Sequence, residues 1–243
     1  MAAFLPVVCL ILAVPCVYIC FVPPFVASKN EVVIKEFGFT RISYYVGLPN
    51  VAFQGSIYLL KAAIILLFQL QTSFRQSTDN FRFQQYASQL CLGHDPRPVL
   101  KASRIFYFGF ACMMVATILR YETYRVMGRQ FTFDVTIRGK DHKLITTGPY
   151  HYVRHPGYTG FFLVVVAGLI MLYGEGSWLR ECGFMEMRIG QVVVALFMAW
   201  WTNVVVRLWG RMSQEDELLK EKFGEEWVKW REEVRYKLIP GLY

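Results

Sequence analysis

Five apolar runs, separated by polar connectors, organise the chain. Phe4 to Val26 is almost wholly apolar and carries no charge. Its missing basic start and its length favour a retained helix over a secretory signal peptide, and Pro15, Pro23 and Pro24 are placed to kink or end it. Lys29 to Asn50 reads as a polar connection. Val51 to Leu70 is a second run, broken only by Lys61, which could snorkel or face a cavity. Gln71 to Arg104 is long and polar. Arg104 to Tyr121 is the third run, Gly128 to Tyr158 a connector rich in Gly, His and Arg, and Tyr158 to Tyr173 a short fourth run. Ile189 to Trp209 is the fifth. From Gly210 onward the chain is charged, with helical spacing of Leu218, Leu219, Phe223 and Trp227. A spanning helix needs about 20 mostly apolar residues. The pattern therefore predicts an all-α, polytopic integral membrane protein with about five transmembrane helices and a C-terminal helical tail.

Loop charge orients it. With the first connector, the third connector and the tail on one side, that side holds 16 Lys and Arg against six on the other. The richer side is expected in the cytosol. The tail and the His-rich connector then share one membrane face, with the N-terminus across the membrane.

Composition agrees with this class. Of 243 residues, 55% are hydrophobic and only 18% charged, against about 25% charge in average soluble domains; mean hydropathy is +0.33. Aromatic content of 16% excludes disorder. The net charge of +8 is spread beside apolar runs rather than gathered in a cluster, so no nucleic-acid partner is expected. Four of the six cysteines (Cys9, Cys16, Cys20, Cys112) lie inside apolar runs, and none forms Cys-x-x-Cys. A disulfide or zinc site is accordingly not expected, nor any metal. No Gly-x-Gly-x-x-Gly, phosphate-binding loop, Gly-x-Ser-x-Gly or His-Glu-x-x-His occurs, which leaves Rossmann, hydrolase and metalloprotease chemistry without support.

Polar chemistry gathers in two places. One is Asp141 to Tyr158, holding His142, His151 and His155; the other is Arg211 to Glu217, just past the fifth run. Arg154-His155-Pro156-Gly157 reads as a helix start, because proline suits a first turn and a helix N-terminus offers free N–H groups to an anion. Asn203, Arg207, Arg211 and Glu215 repeat every four residues and so share one helical face. Arg207 alone reads as an interfacial anchor.

These clusters resemble the isoprenylcysteine carboxyl methyltransferase family, among small membrane methyltransferases. The matching residues are Gly128-Arg-Gln-Phe131, Asp141-His142-Lys-Leu144, Thr147-Gly148-Pro-Tyr150 and Tyr152-Val-Arg154-His155-Pro156-Gly-Tyr158-Thr-Gly160. They resume with Arg211-x-x-x-Glu215-Asp216 and Leu219-x-x-x-Phe223-Gly224-x-x-Trp227. The Arg-His-Pro-x-Tyr piece alone also occurs in phospholipid methyltransferases and sterol reductases. The resemblance covers the C-terminal half, giving N-terminal helices with connectors over 1–127 and a methyltransferase core over 128–243.

The resemblance implies S-adenosyl-L-methionine held by His142, Lys143, Leu144, Ile145, Tyr150, His155, Pro156, Gly157, Tyr158 and Glu215. Arg211 would bind the substrate, and Arg211 and Glu215 would form the catalytic pair. It implies methylation of the C-terminal carboxylate of S-prenylated cysteine, with the lipid bilayer and prenylated, CaaX-processed proteins as partners. The enzyme would sit in the endoplasmic reticulum membrane with its site facing the cytosol. Here Asp216 stands where the family often has a second glutamate. Two alternatives remain: a phospholipid-type N-methyltransferase, for which a substrate-side arginine is unhelpful, and a non-enzymatic membrane scaffold with a decayed signature.

Overall fold

The computed structural model describes residues 4–22, 32–33, 40–73, 80–131, 136–137 and 142–242. Eight α-helices carry most of it: α1 Leu5–Phe21, α2 Thr40–Ser73, α3 Asn80–Leu90, α4 Arg104–Met127, α5 Pro156–Tyr173, α6 Trp178–Glu181, α7 Arg188–Phe223 and α8 Glu225–Glu233. The all-α, polytopic membrane architecture expected from the pattern is what the structure shows. Parts of α2, α4, α5 and α7 are long and apolar enough to cross a membrane, with α1 a shorter apolar helix. Among the described residues, the departure from an all-helical chain is one antiparallel pair of two-residue strands, Val32–Val33 against Thr136–Ile137.

Several boundaries move. The end of the first run, 23–26, lies outside the described residues; α1 itself runs through Pro15 without a break. The second helix begins at Thr40, not Val51, so much of the expected polar connection is helical. Ile42, Tyr44, Tyr45, Val46 and Leu48 carry the apolar pattern upstream, and a membrane helix tolerates Pro49 inside it. The third helix extends to Met127 rather than Tyr121. The second connector contains α3, and its helical turns had no apolar run to announce them. The fifth run and the start of the tail form one helix of 36 residues. At 1.5 Å per residue this is about 54 Å, longer than a ~40–45 Å bilayer with its headgroups. The charged C-terminal turns of α7 therefore project into water. Gly224, at φ +54°, turns the chain into α8, a backbone conformation that glycine adopts without a Cβ penalty.

The chain divides into two structural units, each drawn from three stretches. The first comprises Met1–Val17, Asn50–Met114 and Val164–Ala199. Leu10, Ala13, Ile64, Met113, Ala167 and Leu172 are fully buried within it. Asn50, Gln54 and Tyr58 line one face of α2: Tyr58 donates to Gln54 Oε1 at 3.2 Å and Gln54 to Asn50 Oδ1 at 3.0 Å. Lys61 is buried with its ammonium 4.5 Å from the Phe106 ring centroid, a cation–π contact in place of snorkelling.

A disulfide joins Cys91 to Cys182 in this unit, correcting the expectation that there would be none. Spacing could not reveal it, because the two cysteines lie 91 residues apart in different connectors. Trp178, donating to the Leu90 carbonyl at 2.9 Å, ties the same connectors. The four cysteines inside apolar runs form no disulfide among the described residues.

The second unit comprises Tyr18–Pro49, Val115–Leu163 and Trp200–Tyr243. Arg120 is its internal brace. Its guanidinium donates to the Gly157 carbonyl at 3.0 Å and to the Cys20 carbonyl at 2.9 Å. It also lies 4.8 Å from the Tyr124 ring centroid. The orphan carbonyl at the end of α1 is thus satisfied by a charged donor. A second core gathers Trp227, Trp230 and Val234 against Leu144, Tyr150, Leu219 and Phe223.

Candidate active site

All the expected site residues fall in the second unit. Pro156 opens α5, as the motif predicts. Ahead of it, Gly148 at φ +62° starts a short turn through His151. A Cβ there would come within 2.8 Å of Val126 Cγ2, so the turn is closed against α4. That places the Tyr150 hydroxyl on Met127 Sδ at 2.7 Å. Burial, and then the Glu215 carboxylate, raise the Tyr150 hydroxyl above its ordinary range, with Arg120 opposing. Tyr150 accordingly stays a neutral donor at physiological pH.

Three residues meet at Glu215. Tyr158 donates its hydroxyl to Glu215 Oε1 at 2.6 Å, and Arg211 Nε donates to the same oxygen at 2.8 Å. His155 Nδ1 stands 3.8 Å from Glu215 Oε2. His155 is only 5% exposed, and its Nε2 is 3.0 Å from Asp216 Oδ1. A carboxylate only accepts hydrogen bonds, so Nε2 carries the proton and Nδ1 faces Glu215. Arg211 and Glu215 share one helical face, as their spacing requires, and they pair with each other. The upstream half of the stripe pairs likewise, Arg207 Nε donating to Asn203 Oδ1 at 2.8 Å.

The connector residues form the other wall. Leu144 and Tyr150 pack on the Trp227–Trp230 core, and the His142 ring lies 5.8 Å from that of Phe223. Ile145 is half-buried, whereas the Lys143 side chain is exposed. The Lys143 backbone N–H donates to Gln130 Oε1 at 2.8 Å. Gly157 lends its carbonyl to Arg120, and Pro156 is fully buried.

Several residues here had no assigned role. Arg154, Asp216, Gln130, Arg120 and Trp230 all shape the site. Arg154, Gln130 and Asp216 stood inside the matching motifs; Arg120 and Trp230 carried no local signal, since their partners lie far along the chain. Trp227 Nε1 and Trp230 Nε1 are buried with no hydrogen-bond partner among the described residues. Two orphaned indole donors in the aromatic core that Leu144 and Tyr150 join suit a planar base with hydrogen-bond acceptors, and the Glu215 carboxylate suits a cationic group. S-adenosyl-L-methionine has all three. No group of three or more metal-ligating side chains occurs among the described residues.

Fold and site together define a helical, polytopic membrane protein with a polar site beside apolar helices. Residues 109–221, just under half of the chain, match the model of the isoprenylcysteine carboxyl methyltransferase family. The resemblance carried by the motifs is thus a shown similarity to that family. The chain is 31% identical over 128 residues to protein-S-isoprenylcysteine O-methyltransferase B of Arabidopsis thaliana, covering 52% of this chain and 55% of that protein. It is 26% identical over 147 residues to the protein-S-isoprenylcysteine O-methyltransferase of Dictyostelium discoideum, covering 60% and 54%. A weaker match, 27% over 115 residues, reaches a delta(14)-sterol reductase of Schizosaccharomyces pombe, covering 47% of this chain and 22% of that protein. The chain spans about half the length of the methyltransferases it matches.

Proposed function

We propose that this protein is a protein-S-isoprenylcysteine carboxyl O-methyltransferase, transferring a methyl group from S-adenosyl-L-methionine to the C-terminal carboxylate of S-prenylated cysteine. The observation that carries this is the meeting of Arg211, Glu215, Tyr158 and His155 at 2.6–3.8 Å. S-adenosyl-L-methionine would supply a methyl group on a positively charged sulfur. His142, Lys143, Leu144, Ile145, Tyr150, His155, Pro156, Gly157, Tyr158 and Glu215 would hold it. Glu215 suits its cationic amine, and the Trp227–Trp230 wall suits its base. Arg211 would orient the substrate carboxylate, because the planar guanidinium matches two oxygens. A carboxylate is ionised at neutral pH, so the chain needs no general base. Its task is to hold the reactants in line and exclude water. An amine substrate would have to shed a proton beside Arg211, which disfavours the phospholipid N-methyltransferase alternative.

The core would be 128–243. The prenyl chain would enter from the bilayer and the methyl donor from the cytosol. The charge bias of the connectors supports a cytosolic site, and an endoplasmic reticulum location fits prenylated, CaaX-processed substrates. The test is a methyl-transfer assay in membranes with a small S-farnesyl thiol acid, alongside thermal stabilisation of detergent-purified protein by S-adenosylhomocysteine. Stabilisation should grow with ligand concentration over its dissociation constant. Neither stabilisation nor methyl transfer would leave the scaffold alternative standing.

A further inference from the structure

Asp216 follows Glu215 directly yet faces a different set of partners. It is 7% exposed. Its Oδ1 takes His155 Nε2 at 3.0 Å; its Oδ2 lies 3.5 Å from Arg154 Nη2 and 3.8 Å from Lys237 Nζ. Three donors from two distant segments therefore converge on one buried carboxylate. Arg154 and Lys237 together offset its charge. Glu217, next along, is exposed.

The same residues bind a C-terminal strap. Five consecutive carbonyls, Val234 to Leu238, accept hydrogen bonds from the segment at the start of α5. Arg154 Nη1 donates to the carbonyls of Val234 at 3.1 Å and Arg235 at 2.9 Å. The backbone N–H groups of Arg154 and His155 donate to Tyr236 at 2.9 Å and Lys237 at 2.8 Å. Thr159 Oγ1 donates to Leu238 at 2.7 Å. Lys237 in turn reaches α7, donating to Ser213 Oγ at 3.1 Å. The strap lies beyond the 109–221 stretch that matches the family.

We propose that Asp216 and the strap Val234–Leu238 form a clasp that positions His155 for methyl-donor binding, and that Asp216 is a positioning residue rather than a ligand contact. This rests on His155 and Tyr158 belonging to the methyl-donor pocket. Asp216 accepts the His155 Nε2–H and so fixes the ring with Nδ1 turned towards Glu215. The strap fixes the backbone on which that ring is mounted. Asp216 thereby holds the orientation of His155, and Glu215 is left to Tyr158 and Arg211.

The test uses full-length protein in detergent, with amide hydrogen exchange and S-adenosylhomocysteine affinity measured together. The amides of Arg154 and His155 report the strap directly, because their acceptors are strap carbonyls. Asp216→Asn should deprotect both amides and weaken S-adenosylhomocysteine by roughly tenfold to a hundredfold, the effect of losing a charge-assisted hydrogen bond. Lys237→Met, on the more exposed strap, should move both readouts the same way by less and guards against misfolding of the first variant. Glu217→Gln should move neither. Retained amide protection in Asp216→Asn overturns the clasp. Lost protection with unchanged affinity overturns the positioning role and leaves the strap as packing. Failure of the wild-type protein to bind S-adenosylhomocysteine fails the methyl-donor reading itself, which sets that failure apart from insensitivity of the variants.

Discussion

At the scale of single residues, Arg211 has two competing roles. Beside a membrane an arginine commonly serves as a phosphate-facing anchor, and for that any positive charge suffices. A carboxylate clamp needs the planar fork. Arg211→Lys should therefore reduce methyl transfer about tenfold to a hundredfold, the equivalent of about 1.5–3 kcal/mol; near-full turnover at unchanged protein level would make it an anchor. Its neighbour gives an independent check. Glu215 accepts from both Tyr158 and Arg211, so Glu215→Gln should chiefly raise the apparent constant for the methyl donor. The orphaned indoles supply a third. Trp230→Phe keeps the aromatic wall and removes one N–H donor. It should leave thermal stability nearly unchanged without ligand while lowering stabilisation by S-adenosylhomocysteine; equal stabilisation would mean that the indole N–H meets no ligand.

At the scale of elements, the site depends on where α1, α4 and α5 approach one another within the second unit. Arg120 is the hinge of that arrangement, bonded to the end of α1 and the first turn of α5. Replacing it by Met keeps bulk but strands two buried carbonyls, at a cost of roughly 1–3 kcal/mol each. A lowered melting temperature and loss of methyl-donor binding are expected together. Gly160→Ala probes the same contact from the other side. Its Cβ would lie 2.8 Å from Arg120 Cγ and 3.2 Å from the Ala116 carbonyl, an overpacking that costs about 1–3 kcal/mol. These elements also mark the limit of what the sequence conveys. Pro156 announces the start of α5 because proline has a local conformational preference, and the face shared by Arg211 and Glu215 follows from helical periodicity. Arg120 gave no such sign. It is one charge at the edge of a membrane run, and its meaning lies in carbonyls 37 and 100 residues away. Likewise α3 and the upstream turns of α2 escaped notice, since a polar or mixed segment folds into a helix only through the packing it finds.

At the scale of the whole molecule, the cystine bears on topology independently of the charge count. Cys91 lies in the connector after the second apolar helix and Cys182 in the one after the fourth. Two such connectors share a membrane face by parity, whereas the connector holding His142 to His155 and the charged tail fall on the other. Disulfides persist in oxidising compartments and are rare in the cytosol. The face bearing Cys91 and Cys182 should therefore be lumenal, which agrees with its lower content of Lys and Arg, six against 16. In sealed microsomes with the cytosolic face outward, a membrane-impermeant reductant followed by an impermeant maleimide polymer should leave Cys91 and Cys182 unmodified. Opening the membrane and reducing the protein should expose both. Modification of these two residues in sealed vesicles treated with the impermeant reductant would invert the topology. Stability follows from the same placement. Closing a loop of 91 residues in a free chain corresponds to a few kcal/mol. Here the ends of the connectors are already held by helices in the bilayer, so far less chain entropy remains to be removed. Cys91→Ser should lower the melting temperature by the equivalent of about 2 kcal/mol or less, below the ~2–4 kcal/mol typical of soluble proteins. A full loss of folding would mean that the connectors, rather than the membrane helices, hold the first unit together.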